Sequence, residues 1–178
     1  MMRRTGLTGS IVMFAFAMAL ASAGGACLAQ NARPAAQAPA ASVPGMRSRR
    51  WGRIVNITSA MVKTPHAAMG LSTAARAGLT ALSRALAREA APDNVTLNNL
   101  LPERIDTPRQ EFMAQRMMKA SGISRDEARA QIAATIPAGR MGRPEEFGAA
   151  CAFLCSELAG YISGQNLQLD GGAYAGLV

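Results

Sequence analysis

Few residues in this chain combine a reactive side chain with a spacing that could do chemistry. His66 is the one histidine, and it falls between two serines, Ser59 and Ser72. A hydroxyl whose proton passes to an imidazole is the start of a hydrolase mechanism. The residues around Ser59, Asn56-Ile-Thr-Ser-Ala-Met61, are not a nucleophile elbow, which makes an exported hydrolase built on Ser59 and His66 the weakest reading. A lone loop histidine is more often simply solvated than catalytic. Cys151 and Cys155 lie four apart on a predicted helix and therefore share a face that could take a soft metal. No second ligand pair accompanies them, and small thiols on an alanine-rich helix usually pack as apolar groups. The third cysteine, Cys27, leaves an odd total of 3, which argues against a disulfide framework.

The elements that must position these residues have to fit within 178 residues, enough for one domain with a real core. The net charge of +8 would suggest a nucleic-acid partner if it formed a patch. It does not. Arg3, Arg4, Arg33, Arg47, Arg49 and Arg50 all precede the first acidic residue, and removing these six from 19 basic residues leaves 13 against 11 acids, or +2. The basicity belongs to the N-terminal tail, so no nucleic-acid partner is expected.

The chain opens like a secretory leader. Met1 to Arg4 is positively charged, Ile11 to Ala21 is uninterrupted apolar sequence, and small residues follow at Ala21-Ser-Ala23 and Leu28-Ala-Gln30. The apolar run is too short to span a bilayer comfortably, so no stable membrane span is expected. The alternative is a buried apolar helix. Residues 1–29 are thus read as a signal-peptide-like segment, with export to the periplasm or beyond if it acts as one. Residues 30–50, rich in Ala, Pro and Gln, read as a flexible linker, with folded structure from about Trp51. That N-terminal part, to about residue 42, could also come from a different reading of the gene.

Beyond Trp51 strands and helices alternate. Arg53–Ile57 is a short β-branched run that reads as a buried strand. Leu71, Ala75, Leu79, Leu82 and Leu86 recur at helical spacing and predict a helix to about Ala91, stopped by Pro92-Asp-Asn94. Val95–Leu101 is a second strand closed by Pro102. Helices are expected near Pro108–Ala120 and Ser124–Ala134, the latter with a Ser124/Glu127 capping box. Another should run from Pro144 to about Leu158, and a last strand from Asn166 to Leu169. This order predicts an α/β fold with about three parallel strands.

Four segments, in order from about Val43 to the C-terminus, carry a family likeness. They are Gly52-Arg-Ile-Val-Asn-Ile-Thr-Ser59, Ala77-Gly-Leu-Thr-Ala-Leu-Ser-Arg-Ala-Leu-Ala87 and Asn98-Asn-Leu-Leu-Pro-Glu-Arg-Ile-Asp-Thr107. The fourth and most specific is Gly139-Arg-Met-Gly-Arg-Pro-Glu-Glu146, followed by Tyr161-Ile-Ser-Gly-Gln165 and Asp170-Gly-Gly172. Together they resemble the second half of a short-chain dehydrogenase/reductase. The resemblance implies that residues 51–178 form part of a Rossmann-like domain that binds NAD or NADP. The implied activity is hydride transfer between that cofactor and a carbonyl or alcohol carbon. It also implies that Ser59 polarises the substrate oxygen, and that the acid/base tyrosine and its lysine stand at Ser72 and Arg76. Pro102, Ile105 and Thr107 fall where the family's loop meets the nicotinamide.

The departures matter as much as the likeness. A serine hydroxyl has a far higher intrinsic pKa than a phenol, so Ser72 cannot simply inherit the tyrosine's proton transfer. Arg76 keeps the charge of the lysine on a wider fork. Glu103 stands where the family has a turn glycine. Nothing before Trp51 resembles the family's glycine-rich phosphate turn. These departures imply an enzyme impaired when alone, or a non-catalytic partner pairing with itself or with an intact relative. The strand Arg53–Ile57 is expected to expose a bare edge and to make the chain aggregate or dimerise. The family usually works in the cytoplasm, which conflicts with the leader-like N-terminus. The substrate region, Pro108 to Ala138, offers Met113, Met117 and Met118 either as an adaptable lining or as a packing face.

Overall fold

The structure is a computed structural model that describes the backbone of residues 11–15 and the residues 40–177. Its centre is a four-stranded parallel sheet in the order β1-β2-β3-β4: β1 (Ile11–Ala15), β2 (Gly52–Ile57), β3 (Val95–Pro102) and β4 (Asn166–Leu169). Helix α1 covers residues 40–48. The others are α2 (Gly70–Ala90), α3 (Pro108–Ser121), α4 (Arg125–Ala134) and α5 (Pro144–Cys155). Strands alternating with helices around a parallel sheet make this an α/β, Rossmann-like fold, as the element order implied.

Residues along β2 and β3 alternate between two covered faces, which is why both strands are nearly continuous buried sequence. Ile54 and Leu97 meet Val43, Met46, Ala87 and Ala90 on the side of α1 and α2. Val55 and Leu100 meet Cys151 and Leu154 of α5 on the other. An asparagine ladder crosses the sheet on the α2 side. Asn56 Nδ2 donates to Ser83 Oγ at 2.9 Å and to Asn99 Oδ1 at 3.1 Å, and Asn99 Nδ2 donates to Asn166 Oδ1 at 2.8 Å. The two asparagine pairs are directly opposite in the strand register, so one amide reaches the next inside the core.

Several expectations are corrected. Folded structure starts before Trp51, because Val43 and Met46, three apart on α1, are 4% and 1% exposed in the core. The linker therefore ends earlier than residue 50. Within the leader-like run, Ile11–Ala15 is a strand rather than a helix. It pairs in parallel with β2 from Ile11↔Arg53 to Ala15↔Ile57, so the expected bare edge is covered and the sheet gains a strand. The rest of residues 1–29, with its cleavage-like motifs and Cys27, lies outside the described residues, as do residues 30–39 of the 30–50 segment. Helix α2 is rotated from its expected face. Leu71 is 68% exposed, while Ser72, Thr73, Leu79, Ser83, Ala87 and Ala90 are buried. Small side chains let the helix lie close on the sheet, and Ser83 is satisfied by donating to Leu79 O while accepting from Asn56. Helix α5 stops at Cys155 and a short 3-10 turn, Glu157–Ala159, takes over. The methionines of α3 pack with Ala114, Ala128 and Ile132 between α3 and α4, which makes them a packing face. No helix among the described residues is long and apolar enough to cross a membrane.

Candidate functional site

In open parallel sheets ligands settle beyond the carboxyl ends of the strands, where loops diverge and backbone groups are free to bind. The segments carrying the predicted site residues leave β2 and β3 at that end.

Ser59 follows β2 in extended conformation and caps a 3-10 turn, its Oγ accepting from Met61 N at 3.3 Å. Helix α2 packs against that turn. Within α2, Ser72 is 4% exposed, and Arg76 one turn on donates from Nη1 to its Oγ. The structure thus brings Ser72 and Arg76, which the resemblance sets at the tyrosine and lysine positions, into direct contact. Burial pushes the Arg76 guanidinium below its usual value. His66 is exposed and caps the turn Ala67–Met69, its Nδ1 accepting from Ala68 N at 3.3 Å. The accepting Nδ1 leaves the proton of a neutral ring on Nε2. His66 also lines a cavity of about 360 Å³ with Ala60, Thr64, Glu103, Arg104 and Tyr174. The Tyr174 ring lies under the Lys63 ammonium, 5.0 Å from the centroid.

The loop after β3 is held at both ends. Glu103 N donates to Leu169 O at 2.9 Å, tying the loop to β4. Asp106 N donates to Gly142 O at 2.7 Å and Gly142 N donates to Arg104 O at 3.1 Å, a two-way clasp across Ile105. A Cβ on Gly142 would stand 2.7 Å from Ile105 Cδ1, so the glycine makes room for the isoleucine. Arg104, at φ 52°, adopts the left-handed conformation and Glu103 does not, so Glu103 is accommodated without that strain. Glu103 ends beside Arg104 at 3.3 Å.

Pro102, Ile105 and Thr107 all line one cavity of about 280 Å³, together with Ile57, Arg104, Arg109, Gln110 and Phe147. The sequence reading missed Gln110 and Phe147. Gln110 sits in the first turn of α3, only 8% exposed, and its Oε1 has no hydrogen-bond partner. A glutamine at a helix start carries no sequence signal of this kind. Phe147 reaches the cavity from α5 and also packs against the core under β2 and β3.

The two helical cysteines behave as packing groups. Cys151 lies in the core, and the Cys155 thiol is pushed up to about 11, first by burial and then by the neighbouring Cys151. Such a thiol is poorly suited to nucleophilic work. No group of three or more metal-ligating side chains exists among the described residues.

Residues 13–174 match the family described as Enoyl-(Acyl carrier protein) reductase. The chain is 40% identical over 128 residues to the NADPH-dependent reductase BacG of Bacillus subtilis (strain 168), across 72% of this chain and 49% of that protein. It is 38% identical over 130 residues to the 3-oxoacyl-[acyl-carrier-protein] reductase FabG of Vibrio cholerae, across 73% of this chain and 49% of that protein. The chain therefore spans about half the length of these relatives. Among solved structures, L-sorbose reductase from Gluconobacter frateurii complexed with NADPH and L-sorbose superposes with a TM-score of 0.81 at 27% identity, covering 98% of this chain and 70% of that one. The NADPH-dependent reductase YwfH, involved in bacilysin biosynthesis, gives 0.79 at 28% identity over 93% of this chain and 67% of its own. The clasped loop beyond β3, the parallel sheet under it and the match over residues 13–174 agree: the chain belongs to the short-chain dehydrogenase/reductase family.

Proposed function

We propose that this chain is a short-chain reductase unit that seats the nicotinamide end of NADPH or NADH beside a carbonyl or alcohol substrate, and that it works poorly alone. The observation that carries the reading is the convergence of Pro102, Ile105 and Thr107 on one cavity. The residues present fit the group. The cavity has apolar walls at Ile57, Ile105 and Phe147, and polar side chains at Thr107 and Gln110. A planar ring bearing an amide suits both features. The relatives named as NADPH-dependent reductases favour NADPH over NADH.

When bound, the nicotinamide would supply or accept a hydride at the substrate carbon. Pro102 and Ile105 would hold the ring, and the Thr107 hydroxyl is available to hydrogen-bond its amide. Ser59 would polarise the substrate oxygen by donating its hydroxyl proton while its Oγ remains fixed by Met61 N. Arg76 would contribute positive charge toward the same end of the sheet. No phenol stands at position 72, so proton transfer there lacks the family's donor, which is why we infer an impaired enzyme.

A second reading, a non-catalytic partner that pairs with itself or with an intact relative, is favoured by Ser72 being sealed against Arg76. It is also favoured by Leu71 standing 68% exposed on α2. Titrating the full-length chain with NADPH and NADH, read by cofactor fluorescence, separates the two. Enhanced, blue-shifted emission that saturates supports the reductase unit. Unchanged emission, together with co-purification of an intact family member, supports the pairing role.

A further inference from the structure

Arg104 is shared by the two cavities beyond β2 and β3. It lines the apolar one with Ile57, Ile105 and Phe147, and the polar one with Ala60, His66 and Tyr174. Its guanidinium is sparingly used. The closest approach to a carboxylate runs from Nε to Glu103 Oε1 at 3.3 Å, between adjacent residues, and neither terminal nitrogen donates a hydrogen bond among the described residues. Arginines that tie elements together here behave otherwise. Arg125 reaches Glu111, Arg129 reaches Asp106 and Arg140 reaches Glu146, each at 2.7 Å through a terminal nitrogen. Arg104 ties no elements together, yet its backbone holds the left-handed conformation at φ 52°, which strains any residue with a Cβ and which glycine would take freely. Neither cross-linking nor backbone comfort accounts for an arginine at this position.

The polar cavity shows what that arginine lacks. Two carboxylates line it, and both are engaged. Asp170 accepts from Gly172 N at 2.9 Å and from Tyr174 N at 2.8 Å, while Glu103 lies against Arg104 Nε. His66 Nδ1 accepts from Ala68 N, which leaves Nε2–H as a donor on the neutral ring. The lining groups still to be answered are therefore donors, and the strongest is the pair of terminal nitrogens on Arg104. Resting on the reductase reading above, we propose that Arg104 is a specificity-determining residue that binds a carboxylate on the substrate, so that the carbonyl compound taken here is a short oxo acid. A planar fork of N–H donors matches the two oxygens of a carboxylate, the geometry that makes such pairs strong. Because Arg104 borders both cavities, an anion held on it lies at their junction, and the rest of a small molecule can extend toward Ala60 and Met61, which directly follow Ser59. A volume of about 360 Å³ suits a compact substrate of this kind. Glu103 tempers the site, since its carboxylate competes for the same guanidinium and repels an incoming anion.

The test uses the full-length chain and two probes of the same shape, acetoacetate and acetoacetamide, with binding read by ligand-detected NMR titration. Wild type should hold the anion about tenfold more tightly than the amide. That is the low end of what hydrogen bonds to a charged group contribute, as befits a guanidinium side chain that is 34% exposed. Arg104→Gly, which suits the left-handed backbone, should bind the two probes within about twofold of each other while melting at or above the wild-type temperature. Glu103→Gln should move the other way, raising affinity for the anion about threefold and leaving the amide unchanged. Equal binding of both probes by wild type, an anion preference that survives Arg104→Gly, or weaker anion binding in Glu103→Gln would overturn the assignment. So would binding of neither probe. In each of those cases the NADPH and NADH titration still decides the reductase reading by itself, because it uses the unmodified chain and neither probe.

Discussion

Ser72 and Arg76 are hydrogen-bonded one turn apart on α2, with the guanidinium donating to the hydroxyl and the serine 4% exposed. Removing the hydroxyl takes one acceptor from a charged donor in a region that has already been desolvated. Hydrogen bonds to charged groups contribute about 1.5–3 kcal/mol, so Ser72→Ala should lower unfolding free energy by roughly that amount in urea titrations at neutral pH. A loss below about 0.5 kcal/mol would mean that water solvates Arg76 in place of the serine. Because a serine at this position contributes to stability whether or not it meets a substrate, a large effect on folding says nothing about catalysis. Ser59 is placed differently. Its hydroxyl is part-exposed beyond β2 where that of Ser72 is buried, so of the two serines it is the one a ligand can reach.

The loop beyond β3 owes its shape to the segment before α5. Arg140 chelates Glu146 through Nη1 at 2.9 Å and Nη2 at 2.7 Å, while Arg143 N donates to the same carboxylate at 2.8 Å. That knot presents Gly142 to Ile105. It also holds the Glu146 carboxyl at about 2, first through Arg140 and then through Arg143 N. The folded value lies below that of an unfolded glutamate, about 4.3, so the contribution is fully present above the unfolded value and is lost as pH falls through about 2. The difference in melting temperature between wild type and Glu146→Gln should therefore be largest near pH 6 and vanish toward pH 2. A difference that is flat with pH would mean the knot acts through shape alone. The capping box at Ser124 and Glu127 and the span of β4 were legible in the sequence because each rests on local residue types. The face of α2 was not, since leucine spacing marked Leu71 as inward while close packing on the sheet selected Ser72 and Ser83. That Ile105 and Thr107 share the loop after β3 was legible through the loop motif; that they line one cavity was not. Gln110 became visible only when α3 folded its first turn against the cavity.

At the scale of the whole molecule, the sheet is completed by the segment that reads as an export leader. Ile11–Ala15 pairs in parallel with all of Arg53–Ile57 and covers an edge that would otherwise expose a row of backbone donors and acceptors. Uncovered edges of this kind recruit other strands, so the paired segment should govern the association state. Deleting residues 1–15 should produce larger, concentration-dependent species in light scattering, while deleting residues 1–10 should leave the full-length profile unchanged. The two roles of the segment also exclude each other. Cleavage after Ala23 or Ala29, where small residues follow the apolar run, would remove β1 together with the leader. A chain whose native N-terminus by mass spectrometry begins after those sites should thus scatter like the 1–15 deletion, and a chain retaining Ile11 should not. If the 1–15 deletion keeps the full-length profile, β1 is dispensable and β2 is protected by something other than this strand.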